Sequence, residues 1–281
     1  MVTVPFDFSR HQIGLDVQVH GTPLYMFLDT GNSPSAIDTA RAKSLGLKID
    51  FAHGGEASGQ GDAVHMMVYP TSIDGLTIGG EHFDAVEALA ADHAAISKAY
   101  GRAVDGTLGH SFFLGRVVLI DYPAHTLTIS DNAADVAPQL AACRAWRMPL
   151  KSFKGDTIPI VEMGIGEAKL PVSIDTGSDS VVELFQHALD MPAVKAALVE
   201  DGSSISTGAR GAYSVKLYRL NAPLSLGPFV LAAGQRVMVT GDAGTADTRL
   251  ANVGNRLLEG LKIKLLLDYR NNEIGFFGCA Q

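Results

Sequence analysis

Two aspartates of this chain stand in the same local sequence. Asp29 follows Tyr25-Met26-Phe27-Leu28 and precedes Thr30-Gly31-Asn32-Ser33. Asp175 follows Leu170-Pro171-Val172-Ser173-Ile174 and precedes Thr176-Gly177-Ser178-Asp179-Ser180. A single Asp-Thr-Gly triplet reads as a turn closed by an Asx hydrogen bond. Two of them, each at the end of an apolar run, read as carboxyls delivered by buried strands into sharp glycine turns. Amide hydrolysis by water needs a base to take the water's proton and an acid to protonate the carbonyl oxygen and then the amine. Two carboxyls within ~3 Å cannot both ionise, because the second charge is repelled by the first. They then share one proton and supply both acid and base at mildly acidic pH, titrating as a unit.

The aspartates lie 146 positions apart (175 − 29), and the echo extends beyond them. Val117-Val118-Leu119-Ile120-Asp121-Tyr122 returns as Ile263-Lys264-Leu265-Leu266-Leu267-Asp268-Tyr269, with 147 between Asp121 and Asp268. Leu108-Gly109-His110 returns as Val253-Gly254-Asn255, at an offset of 145 (253 − 108). Gly75-Leu76-Thr77-Ile78-Gly79 has a looser echo in Ala222-Pro223-Leu224-Ser225-Leu226-Gly227. Collinear matches at nearly one offset indicate a duplicated unit. Each half supplies one aspartate, so the duplication has a chemical purpose.

On these residues the chain resembles the pepsin-like aspartic proteases and their one-lobe retroviral relatives, most closely compact bacterial forms. The motifs are Asp29-Thr30-Gly31 and Asp175-Thr176-Gly177, each followed by an apolar-apolar-Gly or related element, Thr107-Leu108-Gly109 and Asn252-Val253-Gly254. The resemblance implies an all-β fold of two homologous lobes, 1–140 and 147–281, with a central cleft and a psi-shaped loop around each aspartate. It implies that Asp29 and Asp175 are catalytic and that Thr30 and Thr176 tie the loops together by reciprocal hydrogen bonds. Gly31 and Gly177 then let the backbones approach, and Ser33, Ser178 and Ser180 are candidates to support the carboxylates. Asn32 departs from the family's usual Ser, Thr or Ala, and Asn252 is polar where an apolar residue is usual.

Composition bounds the rest. The chain has 281 residues, 47% hydrophobic, with 30 Gly and 12 Pro, which suits a globular, turn-rich protein. A net charge of −8 without a basic stretch excludes phosphate-tracking nucleic-acid binding. No apolar run reaches the ~18 residues of a membrane-crossing helix. No His-x-x-x-His pair, Gly-x-Ser-x-Gly elbow or Gly-Lys-Ser/Thr phosphate loop competes with the aspartates, so no metal or cofactor is expected. His110, beside Gly109, is the one histidine expected near the site. Cys143 and Cys279 form one disulfide or stand as two thiols. A periplasmic or secreted protein whose signal peptide has been removed is the favoured reading, with a cytoplasmic one left open.

The elements that must position the aspartates follow. Gly14 to Val19 alternates apolar and polar residues and ends in a turn, so it pairs with the Asp29 strand. Ser35 to Gly46 reads as a short helix closed by glycine. Ala85 to Tyr100 reads as a strand running into a helix, Pro192 to Leu198 as a short helix, and Asp131 to Trp146 as the boundary between halves. Gly54 to Gly61, with Gly59, Gln60 and Gly61 at its end and Val64 to Tyr69 after it, reads as a hairpin tip that folds over the site as a lid. Tyr69 falls near where pepsin-like flaps carry a tyrosine. Gly208, Ala209, Arg210 and Gly211 form a second candidate flap. The expected activity is a monomeric aspartic endopeptidase acting on extended peptide or protein substrates. The alternatives are a peptide-binding or inhibitory protein on the same scaffold, and a processing protease that cuts one partner.

Overall fold

The computed structural model describes residues 1–62, 66–152, 158–241 and 249–279. Strands dominate and the helices are short, so the fold is all-β. Three sheets carry it.

In the first half the sheet runs, in spatial order, Gly55–Glu56, Met67–Ile73, Val86–Ala91, Ser35–Asp38, Gly106–Leu108, Thr22–Leu28, Gly14–Val19, Leu76–Ile78 and Glu81–His82. In the second half the order is Leu198–Gly208, Gly211–Leu220, Arg236–Thr240, Val182–Phe185, Ala251–Val253, Ala168–Ile174, Pro159–Ile165, Leu224–Leu226 and Phe229–Leu231. Position for position the two orders are the same, and Lys151–Ser152 adds a strand beside Pro159–Ile165. In each, the strand leading to the aspartate pairs in parallel with the strand leading to the later glycine: Met26 to Leu28 with Gly106 to Leu108, and Val172 to Ile174 with Ala251 to Val253. These central strands are buried on both sides, which is why they read as continuous apolar runs rather than alternating ones. Leu24, Met26 and Leu28 enter the main core, while Tyr25 and Phe27 pack with Tyr100 and Val104 on the other face.

The third sheet joins the halves. Its order is Val2–Pro5, Thr126–Ser130, Val117–Asp121, Lys264–Asp268, Glu273–Cys279, Cys143–Pro149. At its centre Val117 pairs with Asp268, Leu119 with Leu266, and Asp121 with Lys264. With the 147-residue offset of the repeat, Leu119 therefore sits opposite its own counterpart (266 − 119). An antiparallel pair of equivalent strands in this register has a local two-fold axis, so two like halves are placed symmetrically about it. Val118, Ile120, Leu265 and Leu267 face the main core, and Val117, Leu119, Leu266 and Phe277 face a smaller one covered by Val136 and Leu140. The Lys264 ammonium meets the Asp121 carboxylate at 2.8 Å on this sheet. At the sheet's edge Cys143 lies opposite Cys279, and the two form a disulfide, which settles the open alternative for the cysteines.

Ser35 to Gly46 departs from its sequence reading. Ser35–Asp38 is a strand, and the helix covers only Thr39–Ser44, capped by Asp38, whose carboxylate accepts from the Arg41 N–H at 2.9 Å. Ser35 to Asp38 pairs with Ala88 to Ala91, and Ala36 and Ile37 also pair with Gly106 and Thr107. Backbone pairing to two neighbours outweighed the helix propensity of Ala36 and its surroundings, as tertiary context commonly does. The boundary stretch also carries more structure than its lack of periodicity suggests: a short helix at Ala133–Val136 and the strand Cys143–Pro149. Val64 lies outside the described residues, and the strand expected there is described from Met67 to Ile73.

Leu119→Ala removes a fully buried side chain at the axis of the shared sheet. It is expected to cost about 2–5 kcal/mol in urea unfolding, in one transition. Two resolved transitions would show that the halves unfold independently.

Candidate active site

The two Asp-Thr-Gly turns meet where the halves abut. The Thr30 N–H donates to Thr176 Oγ1 at 3.0 Å, and the Thr176 N–H donates to Thr30 Oγ1 at 3.0 Å. Each hydroxyl donates onward into the opposite strand, Thr30 to the Ile174 carbonyl at 2.6 Å and Thr176 to the Leu28 carbonyl at 2.9 Å. Both threonines are buried. Each such bond contributes about 1 kcal/mol net, but leaving a buried partner unmade costs about 1–3 kcal/mol, so the four hold one another in place.

Only glycine fits beside them. A Cβ on Gly31 would lie 2.6 Å from Asp175 Cγ, and a Cβ on Gly177 would collide with the Asp29 carboxyl in the same way. Each aspartate is thus pressed against the opposite turn. The two carboxyls lie close enough for each to act on the other's hold on a proton. The Gly31 N–H donates to Asp29 Oδ1 at 2.8 Å and the Gly177 N–H to Asp175 Oδ1 at 3.0 Å. The Asn32 and Ser178 N–H groups donate to the Asp29 and Asp175 main-chain carbonyls at 3.4 and 3.2 Å, and lie near enough to the carboxyls to favour their ionised form. Protein atoms surround both acids densely, yet solvent still reaches part of each.

Burial raises both aspartates above the usual carboxylate range. Asp29 is pushed up to about 8, by burial first and then by the facing charge of Asp175. Asp175 is raised by burial, against the pull of the Gly177 N–H and of the buried Arg249 guanidinium. The arrangement can hold one proton between two oxygens and leave one negative charge beside it.

The psi-shaped connections complete the floor. The Asp29 N–H donates to the Leu108 carbonyl at 3.0 Å, and the Asp175 N–H to the Val253 carbonyl at 2.9 Å. Past the glycines, the His110 N–H reaches the Asn32 carbonyl and the Asn255 N–H reaches the Ser178 carbonyl, both at 2.9 Å. The His110 ring itself packs edge-on against Tyr269. In the second half Asn255 is fully buried; it donates to the Thr176 and His11 carbonyls and accepts from the Tyr122 hydroxyl.

The serines expected to support the carboxyls divide unevenly. Ser178 and Ser180 join by a hydroxyl–hydroxyl bond of 2.8 Å. Ser33, however, is exposed, before the cis Ser33–Pro34 bond. In the first half the buried hydroxyl nearby is that of Ser35, which accepts from the Gly109 N–H at 2.9 Å. Asn32 is not idle there, since its Nδ2 donates to Thr107 Oγ1 at 2.5 Å.

Two hairpin tips meet each other. Gly59, Gln60 and Gly61 form the first tip, with Gly59 and Gly61 at φ +114 and +135, a region that favours glycine. Ala209 and Arg210 make the two-residue turn of the second, between paired Gly208 and Gly211. The Arg210 N–H donates to the Gln60 carbonyl at 2.9 Å and the Asp62 N–H to the Ala212 carbonyl at 3.2 Å. Tyr69 is not at either tip. It lies in the strand Met67–Ile73 with its ring 4.9 Å from that of Phe51, at the base of the first hairpin. There Tyr69 packs on Phe51 and beside Gly54.

One acid escaped the sequence reading. Glu183 is 5% exposed, and burial, followed by the charge of Asp175, pushes it up to about 7. Its signal was present: an acid inside Val181-Val182-Glu183-Leu184-Phe185 interrupts an apolar strand. Among the described residues no three His, Cys, Asp or Glu side chains converge to hold a metal.

Asp29→Asn isolates the electrostatic cost. A group whose folded pKa lies above its unfolded value stabilises the fold below the unfolded pKa, here 3.8, and that stability is lost as pH rises through about 8. Asparagine is neutral throughout. The variant is expected to match the parent's Tm near pH 4 and exceed it near pH 8; equal melting at pH 8 would contradict the buried-charge account.

Residues 15–112, which hold the first Asp-Thr-Gly turn and its Leu108-Gly109 partner, match the family model described as aspartyl protease. A search of curated proteins finds no match to the chain. Over residues 15–112, about a third of its length, the chain is similar to the aspartyl protease family.

Proposed function

We propose that the protein is an aspartic endopeptidase built as two pepsin-like lobes, 1–140 and 147–281, with a peptide-binding cleft between them. The family-model match over residues 15–112 points to peptide hydrolysis in general. The observation that carries the finer reading is the close approach of the two carboxyls, one from each half, each pressed against the opposite Asp-Thr-Gly turn.

A water bound between Asp29 and Asp175 is activated by the ionised carboxyl, which takes its proton as the oxygen attacks the peptide carbonyl. The protonated carboxyl gives its proton to the carbonyl oxygen, forming a tetrahedral diol. Proton transfer to the amine nitrogen then allows the C–N bond to break, and the pair returns to one shared proton. Thr30, Thr176, Gly31 and Gly177 fix the two acids at the distance this exchange needs. The substrate lies extended between the dyad and the hairpin tips, bound through its main chain with side chains in alternate pockets. The tips at Gly59 to Gly61 and Gly208 to Gly211 act as paired flaps, which part to admit the peptide. No cofactor takes part in this scheme. One chain carries both acids, so a monomer is competent. The Cys143–Cys279 disulfide favours an oxidising compartment, the periplasm or the outside of the cell.

Cleavage of a mixed peptide library between pH 3 and 7 tests the reading. Asp29→Asn or Asp175→Asn is expected to lower turnover by at least about 10³-fold, general acid–base contributions being of order 10²–10⁴, with the folded state retained. Undiminished turnover in either variant would rule out the dyad. Binding of a statine inhibitor without any cleavage by the parent would favour a peptide-binding protein, and cleavage of one sequence only would favour a processing enzyme.

A further inference from the structure

Glu183 occupies the middle of the strand Val182–Phe185, opposite Asn252. In the first half the equivalent residue, opposite Thr107, is Ala36. The fold therefore accepts a methyl group at this position, and the carboxyl is not there to build the sheet. A buried acid in an apolar strand is costly unless its oxygens are satisfied. They are satisfied from several directions. The Tyr213 hydroxyl donates to Glu183 Oε1 at 3.1 Å. The Asn252 and Thr240 side chains bond the same carboxyl, and Asn252 in turn accepts from Ser173.

Two of these partners lead to the hairpins. Tyr213 lies in the strand Gly211–Leu220, opposite Ser206 and close to the second tip. Thr240 receives Gln60 Nε2 from the first tip at 3.3 Å. Both tips thus reach Glu183, one directly and one through a hydroxyl. The nearest charge acting on Glu183 is Asp175. The groups facing Glu183 are the titratable Asp175 and Tyr213 and the neutral Asn252 and Thr240, while Arg249 acts on Asp175.

We propose that Glu183 is a positioning residue that couples closure of both hairpins to the catalytic pair, an inference that rests on reading Asp29 and Asp175 as that pair. With the tips closed, Glu183 is shut from water and protonated, so the pair feels no added negative charge and its ionised carboxyl is free to act as base. When the hairpins lift, Tyr213 withdraws, water reaches Glu183, and its proton leaves to solvent. The new negative charge beside Asp175 raises the pair's hold on its protons, so that less of the pair stands with a carboxyl ionised. The base is therefore poised only when substrate is enclosed.

The pH dependence of kcat/KM reports the free enzyme, and that of kcat the enclosed complex. Glu183→Gln keeps the hydrogen-bonding shape but cannot ionise. It is expected to move the alkaline limb of kcat/KM to lower pH by about one unit, the size of a neighbouring-charge effect, and to move the kcat limb less. Tyr213→Phe keeps the carboxyl and cuts the tie to the second hairpin; a several-fold rise in KM with kcat near the parental value is expected. Superimposable pH profiles for Glu183→Gln would reduce it to a structural acid and overturn the proposal. So would parental KM and kcat in Tyr213→Phe, which stands as the independent test if Glu183→Gln does not fold. Should the parent cleave no peptide, the same variants are compared by statine-inhibitor affinity across pH. A Glu183-dependent shift there upholds the coupling while turnover fails, and a parent that neither cleaves nor binds overturns both.

Discussion

Two like acids pressed together repel, and the rest of this molecule is the machinery that keeps them together. Burial makes the repulsion worse, because little water screens it. What opposes it is geometric. Thr30 and Thr176 each clasp the opposite loop with a donor and an acceptor, and their carbonyl partners, Ile174 and Leu28, are the residues that immediately precede the aspartates. Separation of the carboxyls would therefore break four buried hydrogen bonds at once. Sharing one proton is the cheaper response to the repulsion, and the proposed acid and base rest on it.

That clasp works only if the halves arrive in register, and the shared six-stranded sheet sets the register. Leu119 opposite Leu266 fixes the axis, and the symmetric pairing on either side of it leaves no freedom to slide by one residue without turning core-facing side chains outward. The N-terminal segment adds a second brace. Gln12 donates to the Gly177 carbonyl at 2.8 Å, and the Asn255 amide joins His11 to Thr176. Residues next to the first half's opening strand thus hold the second half's turn.

Much of this was legible in the sequence because repetition is visible at the level of residue types. Apolar runs ending in Asp-Thr-Gly gave the strands and the turns, and Asp121-Tyr122 matched to Asp268-Tyr269 marked the strands that meet at the axis. The hairpin tips were legible from their glycines. What could not be read was set by neighbours distant in the chain. Ser35 to Asp38 became strand because two other strands were waiting on either side. Of the two nearby serines, Ser33 is exposed and Ser35 is buried, a difference set by the fold around them. Cys143 and Cys279 paired because the last two strands of the shared sheet place them opposite one another.

The departures from symmetry are as informative as the symmetry. The frame repeats strand for strand, but the face beside the aspartates does not. In the first half that face is Phe27, Ala36 and Thr107, with Tyr25 and Tyr100 packed against Phe27. In the second half the matching positions are Ser173, Glu183 and Asn252, linked to Tyr213 by hydrogen bonds. An aromatic face confers rigidity and a dry boundary, whereas a polar face responds to water and to charge. A symmetric pair of identical acids cannot by itself decide which oxygen keeps the proton. Here Arg249 and the polar face both act on Asp175, while Asp29 stands at the end of the strand whose Phe27 packs among aromatics. The duplication supplied two equal carboxyls, and the divergence of their surroundings makes them unequal.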